Sequence, residues 1–405
     1  MKALILAAGQ GTRLMPLSRD CPKPMLPILD KPVLECLIEH LASQGVDQII
    51  INTSYLAPEI ENYFSSGRRW GVELAFSYEG YEEEGQLHNE PLGSAGTIRS
   101  IQQHSGFFDD TFIVLCGDAL LDLDLRALVA AHHETGALAT LALSRVESEK
   151  VAQYGVAVLD DLGRIMSFQE KPKPAEALSN LVNTGVYVFE PEITKYIPEY
   201  TPSDLGSEIF PALARDGRAI YGVEMDFNWI DIGRVADYYA VQMSAIAGKI
   251  PCIARSGKEI MPGVFVGANT RFDPRRCHIE GPMVIADSVT IEDGATLIGP
   301  LFIGRGSVIE RGACIDRSLV FEYTRVGAQA TLSKMLASGR WCAQPDGFTI
   351  DPQQTGICWI LADSRTPRKN IYQQEQLFLE QINDFPPIVE LIEQINREHA
   401  CSRPW

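Results

Sequence analysis

The chain is 405 residues long with 45% hydrophobic and 22% charged residues, a balance that excludes wholesale disorder and leaves room for two or three domains. Its 35 Lys and Arg stand against 53 Asp and Glu, a formal net charge of −18. A surface that acidic repels phosphate backbones and anionic lipid, so general nucleic-acid and membrane binding are excluded and any anionic ligand needs a local basic cluster.

In chain order, residues 3–8 (ALILAA) form a continuous apolar run ending in glycine, as a strand buried on both faces does. Pro32 suits the first turn of a helix with Val33, Leu34, Leu37, Ile38 and Leu41 on its apolar face, and Gly45 stands where a C-cap is wanted. Residues 46–52 (VDQIIIN) and 112–115 (FIVL) read as further strands. Helical patterns between them predict a mostly parallel sheet wound by right-handed crossovers. Later strands are expected at 138–143, 155–159, 164–169, 182–189 and 219–224, and a helix at 234–247. The nine cysteines are scattered singly, without C-x-x-C or zinc-like spacing, which fits a reducing compartment. The first apolar run is too short for a signal sequence and no stretch is long enough to span a bilayer, so a cytoplasmic location is expected.

Beyond Gly248 the texture changes. Ile279, Ile285, Ile291, Leu297, Ile303, Ile309 and Ile315 recur every six residues, and Phe321 extends the series. Four positions after each of the seven stands a mostly small or aliphatic residue. Helices and simple strands lack that period. A hexapeptide-repeat β-helix has it, because each six-residue side turns a corner and returns an aliphatic side chain to the interior. A left-handed parallel β-helix is expected over 249–332, after an α/β domain at 1–248. Residues 333–405, with Trp341, Trp359, Trp405 and helical patterns at 372–382 and 388–397, are expected to cap the solenoid or serve oligomerisation.

The strongest chemical signal runs from Leu6 to Pro27 (LAAGQGTRLMPLSRDCPKPMLP). A buried strand enters Gly9-Gln10-Gly11, whose missing side chains let backbone N–H groups approach phosphate oxygens. Thr12 adds a hydroxyl, and Arg13 and Lys23 add fixed positive charge. Residues 1–31 hold five basic against two acidic side chains, the local cluster an anionic substrate requires. The loop lacks the Gly-Lys-Ser/Thr of a P-loop, and Leu14 occupies the third-glycine position of a dinucleotide fingerprint. A tight turn with solvated bases does not account for Thr12, Arg13, Pro22, Lys23 and Pro24 together.

This segment resembles the signature of the sugar-1-phosphate nucleotidylyltransferases, close to G-x-G-T-R-L-x-P-L-[ST]-x-x-x-P-K-P, and many members of that family also carry a hexapeptide tail. The resemblance implies a Rossmann-like α/β domain with a mixed, mostly parallel sheet. It implies nucleotide contacts from Leu6, Ala8, Gly9, Gly11, Thr12, Arg13 and Lys23. Ala8 stands where members often have glycine, although others share the LAAG form. Glu90-Pro91-Leu92-Gly93-Ser94 resembles the base-recognition loop, implying contacts from Glu90, Pro91, Gly93 and Ser94; by itself it reads as a helix N-terminus capped by Ser94. His88 departs from the glutamine of thymidylyl-transferring members, so dTTP is not expected. Cys116-Gly117-Asp118 and Trp229-Ile230-Asp231-Ile232-Gly233 imply that Asp118 and Asp231 hold Mg²⁺, whereas each aspartate alone is ordinarily a turn or cap residue. Phe168-Gln169-Glu170-Lys171-Pro172, Asn183-Thr184-Gly185 and Tyr154-Gly155 imply the sugar-phosphate site. Lys171 takes the phosphate there, Glu170 the hydroxyls, and Tyr154, Gly155, Asn183 and Thr184 make further contacts. An isolated Glu-Lys-Pro is ordinarily a solvated turn.

The implied chemistry needs little acid–base help, since a sugar phosphate with a second pKa of about 6 is already a dianionic nucleophile near neutrality. Its oxygen attacks the α-phosphorus of an NTP and pyrophosphate leaves. Arg13, Lys23 and Lys171 are the implied catalytic cations, at the leaving pyrophosphate, the α-phosphate and the incoming sugar phosphate. The whole chain, including SGRWCAQPDGFTID and CWILADSR in the tail, resembles stand-alone UDP-glucose pyrophosphorylases with a hexapeptide domain. The catalytic half alone is also similar to mannose-1-phosphate guanylyltransferases, and Glu90 suits a guanine edge. UTP with glucose-1-phosphate is the preferred pair and GTP with mannose-1-phosphate the alternative. A β-helix acyltransferase is disfavoured by the short solenoid, with His278 just before its regular repeats. A silent regulatory paralogue is disfavoured by the retention of Arg13, Lys23, Asp118, Lys171 and Asp231. A homo-oligomer without nucleic-acid or membrane partners is expected.

Overall fold

The computed structural model describes residues 1–371 and 373, so nearly all of the helix expected at 372–382, the whole of that at 388–397 and Trp405 lie outside the described residues. The chain divides into two compact units, one of Met1–Pro27 and Lys31–Gly233, the other of Ile28–Asp30 and the chain from Arg234.

In the first unit, strands β1 (Lys2–Leu6), β2 (Gln48–Thr53), β3 (Glu73–Tyr78) and β4 (Phe112–Cys116) run parallel in the order β4-β1-β2-β3. Helices α1 (Val33–Ser43), α2 (Ala57–Phe64), α3 (Gly93–Ser105) and α4 (Leu125–Thr135) connect or follow them. Alternation along β1 sends Ala3 and Ile5 to one face, with Leu34, Leu37, Ile38 and Leu41 of α1. Leu4 goes to the other, with Ile98 and Ile101 of α3. Asp124 caps α4 by accepting from the Ala127 N–H (3.0 Å), and Gly136 ends the helix in the left-handed region at φ 58°.

The sheet then changes character. Strands β5 (Ala139–Arg145), β6 (Gly155–Leu159), β7 (Ile165–Glu170), β8 (Leu181–Phe189) and β9 (Ile220–Glu224) extend it to nine strands. β8 lies antiparallel to β4, β5 and β6, β6 and β7 form an antiparallel pair, and β9 runs parallel beside β5. A wide helical turn (Leu205–Ile209) leads into α5 (Phe210–Arg215). All eight expected strands are present with ends shifted by no more than two residues, and the expected last helix is α6 (Val235–Ile246). Sequence pattern missed β3, the hairpin Gly80–Glu83 with Gln86–Asn89, and the ribbon pairing Ala119–Leu121 with Trp229–Asp231.

The second unit is a solenoid of short parallel strands stacked on three faces. Met283–Ile285 pairs with Leu301–Ile303, Thr296–Ile298 with Cys314–Asp316, and Thr290–Ile291 with Val308–Ile309, a coil of eighteen residues. Ile285, Ile291, Leu297, Ile303, Ile309 and Ile315 fill its interior. The expectation that Phe321 continues this series is corrected. Ile303 pairs with Val320, seventeen residues on, and Val320 is the buried residue there. The slip occurs at a corner where Arg317 adopts φ 42° and the Ser318 hydroxyl donates to the Asp316 carbonyl (2.8 Å). Phe321 lies instead against Tyr238 of α6 and Trp341 (ring centroids 6.4 and 5.3 Å), and the Tyr239 hydroxyl donates to the Arg317 carbonyl (2.6 Å). Two faces end in antiparallel strands, Leu361–Asp363 beside Thr324–Val326 and Cys342–Ala343 beside Leu336–Ala337, which stops parallel stacking.

Two measurements check this packing. Leu297 is fully buried in register between Ile279 and Ile315, so Leu297→Ala should cost about 2–5 kcal/mol in denaturant unfolding; a loss under about 1 kcal/mol would mean the interior stack is not continuous. Burial pushes the Cys116 thiol up, keeping it protonated at mildly alkaline pH. Alkylation of the native protein followed by peptide mass spectrometry should therefore mark exposed Cys252 and spare Cys116.

Candidate active site

Ligands of open α/β sheets bind beyond the carboxyl ends of the parallel strands, where loops diverge. β1 ends at Leu6, opposite Asn52 of β2 and Cys116 of β4, so the glycine loop emerges between its two neighbours. The Gly117 N–H donates to the Leu6 carbonyl (2.8 Å), fixing the start of the Asp118 turn against it. Gly11 has φ 63°, and a Cβ there would lie 3.0 Å from Lys23 Cβ and 3.3 Å from Ser18 Cβ. The Ser18 hydroxyl holds the same residue by donating to its carbonyl (2.7 Å). Glycine thus brings the lysine segment against the loop. A Cβ on Gly9 would meet nothing, so the space above it is open. Ala8 is half-buried, and Thr12 and Arg13 are exposed. Among the described residues the Arg13 guanidinium has no hydrogen bond or ion pair.

The ribbon of Ala119–Leu121 with Trp229–Asp231 places Asp231 opposite Ala119, and the Ile232 N–H donates to the Asp118 carbonyl (3.3 Å). Lys23 enters between the two aspartates. Its Nζ donates to Asp118 Oδ2 and lies 4.0 Å from Asp231 Oδ1. The lysine side chain is 11% exposed against 31% and 30% for the carboxylates, so the ammonium sits inside and both carboxylates remain open outward.

On the opposite flank, Glu90 and Pro91 are exposed, and Gly93 adopts φ 73° with a would-be Cβ 2.4 Å from the Ser203 carbonyl. That carbonyl accepts from the Ala95 and Gly96 N–H groups (3.0 and 3.2 Å), while the Ser203 N–H donates to the Leu92 carbonyl (2.9 Å). The first turn of α3 is therefore satisfied by Ser203, and the side-chain cap expected of Ser94 is not made. The Ser94 hydroxyl donates instead to Asp204 Oδ2 (2.7 Å) and accepts from the Leu205 N–H (2.8 Å). Burial pushes the Asp204 carboxyl up, but hydrogen bonds from Ser207 and Ser94 outweigh it and hold the group below the usual carboxylate range. Sequence reasoning missed Ser203 and Asp204, whose Ser-Asp signal reads only as a helix cap.

The expected sugar-phosphate residues gather at one end of β6 and β7. Gly155 pairs with Glu170, and a Cβ on Gly155 or on Gly206 would lie 2.9 Å from Glu170 Oε2, so this carboxylate nests between two glycines. Lys171 adopts φ 47°, donates its N–H to the Tyr154 carbonyl (3.1 Å) and rests its Nζ 2.9 Å from Glu170 Oε1. The Tyr154 ring packs on Trp229 (4.9 Å), joining this group to the Asp231 ribbon. Asn183 donates to the Tyr187 hydroxyl (2.8 Å) and accepts from the Gly185 N–H (3.1 Å). Thr184, buried, turns its hydroxyl into the sheet onto the Ala142 carbonyl (2.8 Å) and away from the glutamate–lysine pair. Part-buried Cys116 and buried Tyr187 stand between the clusters. Burial, then Asp118, pushes the Cys116 thiol up; burial, then Cys116, pushes the Tyr187 hydroxyl up, with Asp204 and Glu170 adding to it.

A family model described as nucleotidyl transferase matches residues 2–247. The UTP–glucose-1-phosphate uridylyltransferase of Synechocystis sp. is 48% identical over 365 residues, covering 90% of this chain and 94% of its own. The mannose-1-phosphate guanylyltransferase of Mycobacterium tuberculosis is 30% identical over 333 residues, covering 82% and 83%. A solved UDP-glucose pyrophosphorylase complexed with UDP-glucose shares the fold, with a TM-score of 0.51 and 24% identity over 60% of this chain and 96% of that one. With the family match spanning most of the sheet-bearing half and a relative alike over almost the full length, the chain belongs to the nucleotidyl transferase family.

Proposed function

We propose that this protein joins UTP to glucose-1-phosphate, releasing pyrophosphate and UDP-glucose. The observation that carries this reading is the Synechocystis uridylyltransferase, alike over 90% of the chain, solenoid repeats included, where the guanylyltransferase relative is alike at 30% over a shorter span. In the reaction a phosphate oxygen of the sugar bonds to the α-phosphorus, and the bond from that phosphorus to the bridging oxygen of the β-phosphate breaks. Two anions must be brought together, so positioning and charge do most of the catalysis. Exposed Arg13 receives the leaving pyrophosphate beside the open space over Gly9. Lys23, already fixed between carboxylates, meets the α-phosphate. Lys171 takes the sugar phosphate, and Glu170 and Asn183, with the backbone of Gly155, hold the hexose.

Mg²⁺ is the proposed cofactor, and Asp118 and Asp231 fit it. They converge on one cation and stay open outward, and Mg²⁺ uses one or two carboxylates beside substrate phosphates and keeps several waters. Substrate phosphates and water would complete the coordination of an ion held by these two carboxylates. When bound, the ion offsets phosphate charge. Glu90 supports the second reading, GTP with mannose-1-phosphate: its exposed carboxylate beside Pro91 suits the guanine N1–H and amino group. A cytoplasmic location belongs to the same proposal; no helix among the described residues is long and apolar enough to cross a membrane.

Turnover of four NTPs against glucose-, mannose- and galactose-1-phosphate, read as pyrophosphate release, should be highest for UTP with glucose-1-phosphate. A GTP–mannose maximum replaces the substrate pair, and no turnover with any pair overturns the enzyme reading. Asp118→Asn and Asp231→Asn should each lower kcat about a hundred- to a thousandfold and raise the Mg²⁺ concentration for half-maximal rate. The double variant should be little worse than the weaker single one, because both carboxylates serve one ion. Near-normal turnover with an unchanged Mg²⁺ requirement in either would remove that aspartate from the site.

A further inference from the structure

Behind the two loops that flank the candidate nucleotide site lies a buried carboxylate that the reaction does not use. Glu79, one residue past β3, is 3% exposed. Its Oε1 accepts from Asn52 Nδ2 (2.8 Å) and from the Thr97 hydroxyl of α3, and its Oε2 accepts from the Leu92 N–H (3.1 Å). Its backbone is held as well, donating to the Thr53 carbonyl (2.8 Å) and accepting from Glu90 N–H (3.0 Å) and the Ser54 hydroxyl (3.2 Å). Asn52, itself 3% exposed, carries the connection onward, because its Oδ1 accepts from the Ala7 N–H at the start of the glycine loop (2.5 Å).

We infer that Glu79 is a positioning residue for the nucleotide, a brace that sets the separation between the glycine loop and the Glu90–Ser94 loop. The inference rests on the nucleotidylyltransferase reading of those loops. A buried carboxylate with only neutral partners is costly unless all its donors are in place, so its three donors are held together as a set. Those donors come from the strand beside β1, from the backbone between Pro91 and Gly93, and from α3. A nucleoside triphosphate touches both loops at once, with its phosphates on one and its base on the other, and must match their separation. Pyrophosphate touches the glycine loop alone. Glu79 therefore governs ligands that span both loops and leaves ligands that touch one loop unaffected.

Glu79→Gln preserves shape but points an amide N–H at the Leu92 N–H or the Thr97–Asn52 pair. Calorimetric binding to full-length protein in Mg²⁺ compares wild type with this variant, using pyrophosphate and whichever of the four NTPs the wild type binds most tightly. NTP affinity should fall roughly tenfold or more, the scale of one lost hydrogen bond to a charged group, with pyrophosphate affinity unchanged. In turnover the KM for NTP should rise more than kcat falls, and the KM for sugar phosphate should hold. Equal weakening of both ligands would show general loosening and overturn the proposal, as would unchanged NTP binding. If Glu79→Gln fails to fold, Thr97→Val removes one donor at constant shape and should give the same pattern, smaller. A wild type without turnover on any substrate pair would sink the reaction reading, while the NTP-to-pyrophosphate binding ratio would still decide the role of Glu79.

Discussion

The backbone pairing of β1 is the constraint on which the candidate site depends. All five of its residues are in register with β2 on one side and β4 on the other. A strand hydrogen-bonded along both edges cannot shift without breaking two ladders, so Leu6 is fixed opposite both Asn52 and Cys116. The chain beyond Leu6 has no choice of direction. It leaves the sheet with Asn52 on one flank and the Gly117–Asp118 turn on the other, and the side chains of those flanks reach the loops that the nucleotide would meet.

Charge is handled locally within an acidic molecule. Lys23 leans on Asp118, and Lys171 on Glu170, so two of the three cations proposed for phosphate are oriented before any anion arrives. Such pairs gain little stability where solvent reaches them, but they fix where positive charge is offered. Arg13 differs. It is exposed, as suits the place proposed for it at the leaving pyrophosphate.

Much of this was legible in sequence because it rests on local pattern. The run ALILAA, the amphipathic face of α1 and the six-residue period each reflect a periodicity that burial enforces. The antiparallel half of the sheet was not legible, since a strand such as β8 looks the same in either direction, and direction is set by partners far along the chain. β3 was missed because its exposed Glu73 and part-buried residues dilute the apolar run. Of the candidate site, resemblance to the family's motifs pointed to Lys23, Asp118, Glu170 and Lys171, and the fold pairs Lys23 with Asp118 and Lys171 with Glu170. The roles of Ser203 and Asp204 depend on a backbone carbonyl and on a contact between residues 110 apart, and neither leaves a mark in composition. Ser94 illustrates the limit: its type suggested a cap, and its tertiary partner decided otherwise.

The one-residue slip between Ile303 and Val320 has a consequence for specificity of assembly. A stack of identical coils is symmetric under translation by one coil, and a helix lying along it would find the same surface at every level. The shortened corner at Asp316–Ser318 removes that degeneracy. Phe321 there leaves the interior series, toward Tyr238, and the Arg317 carbonyl meets Tyr239. The next coil is shortened in the same way, Leu319 pairing with Leu336 and Lys334 adopting φ 52°. The irregularity thus sets the short last coils, where α6 meets the stack, apart from the regular eighteen-residue coils before them.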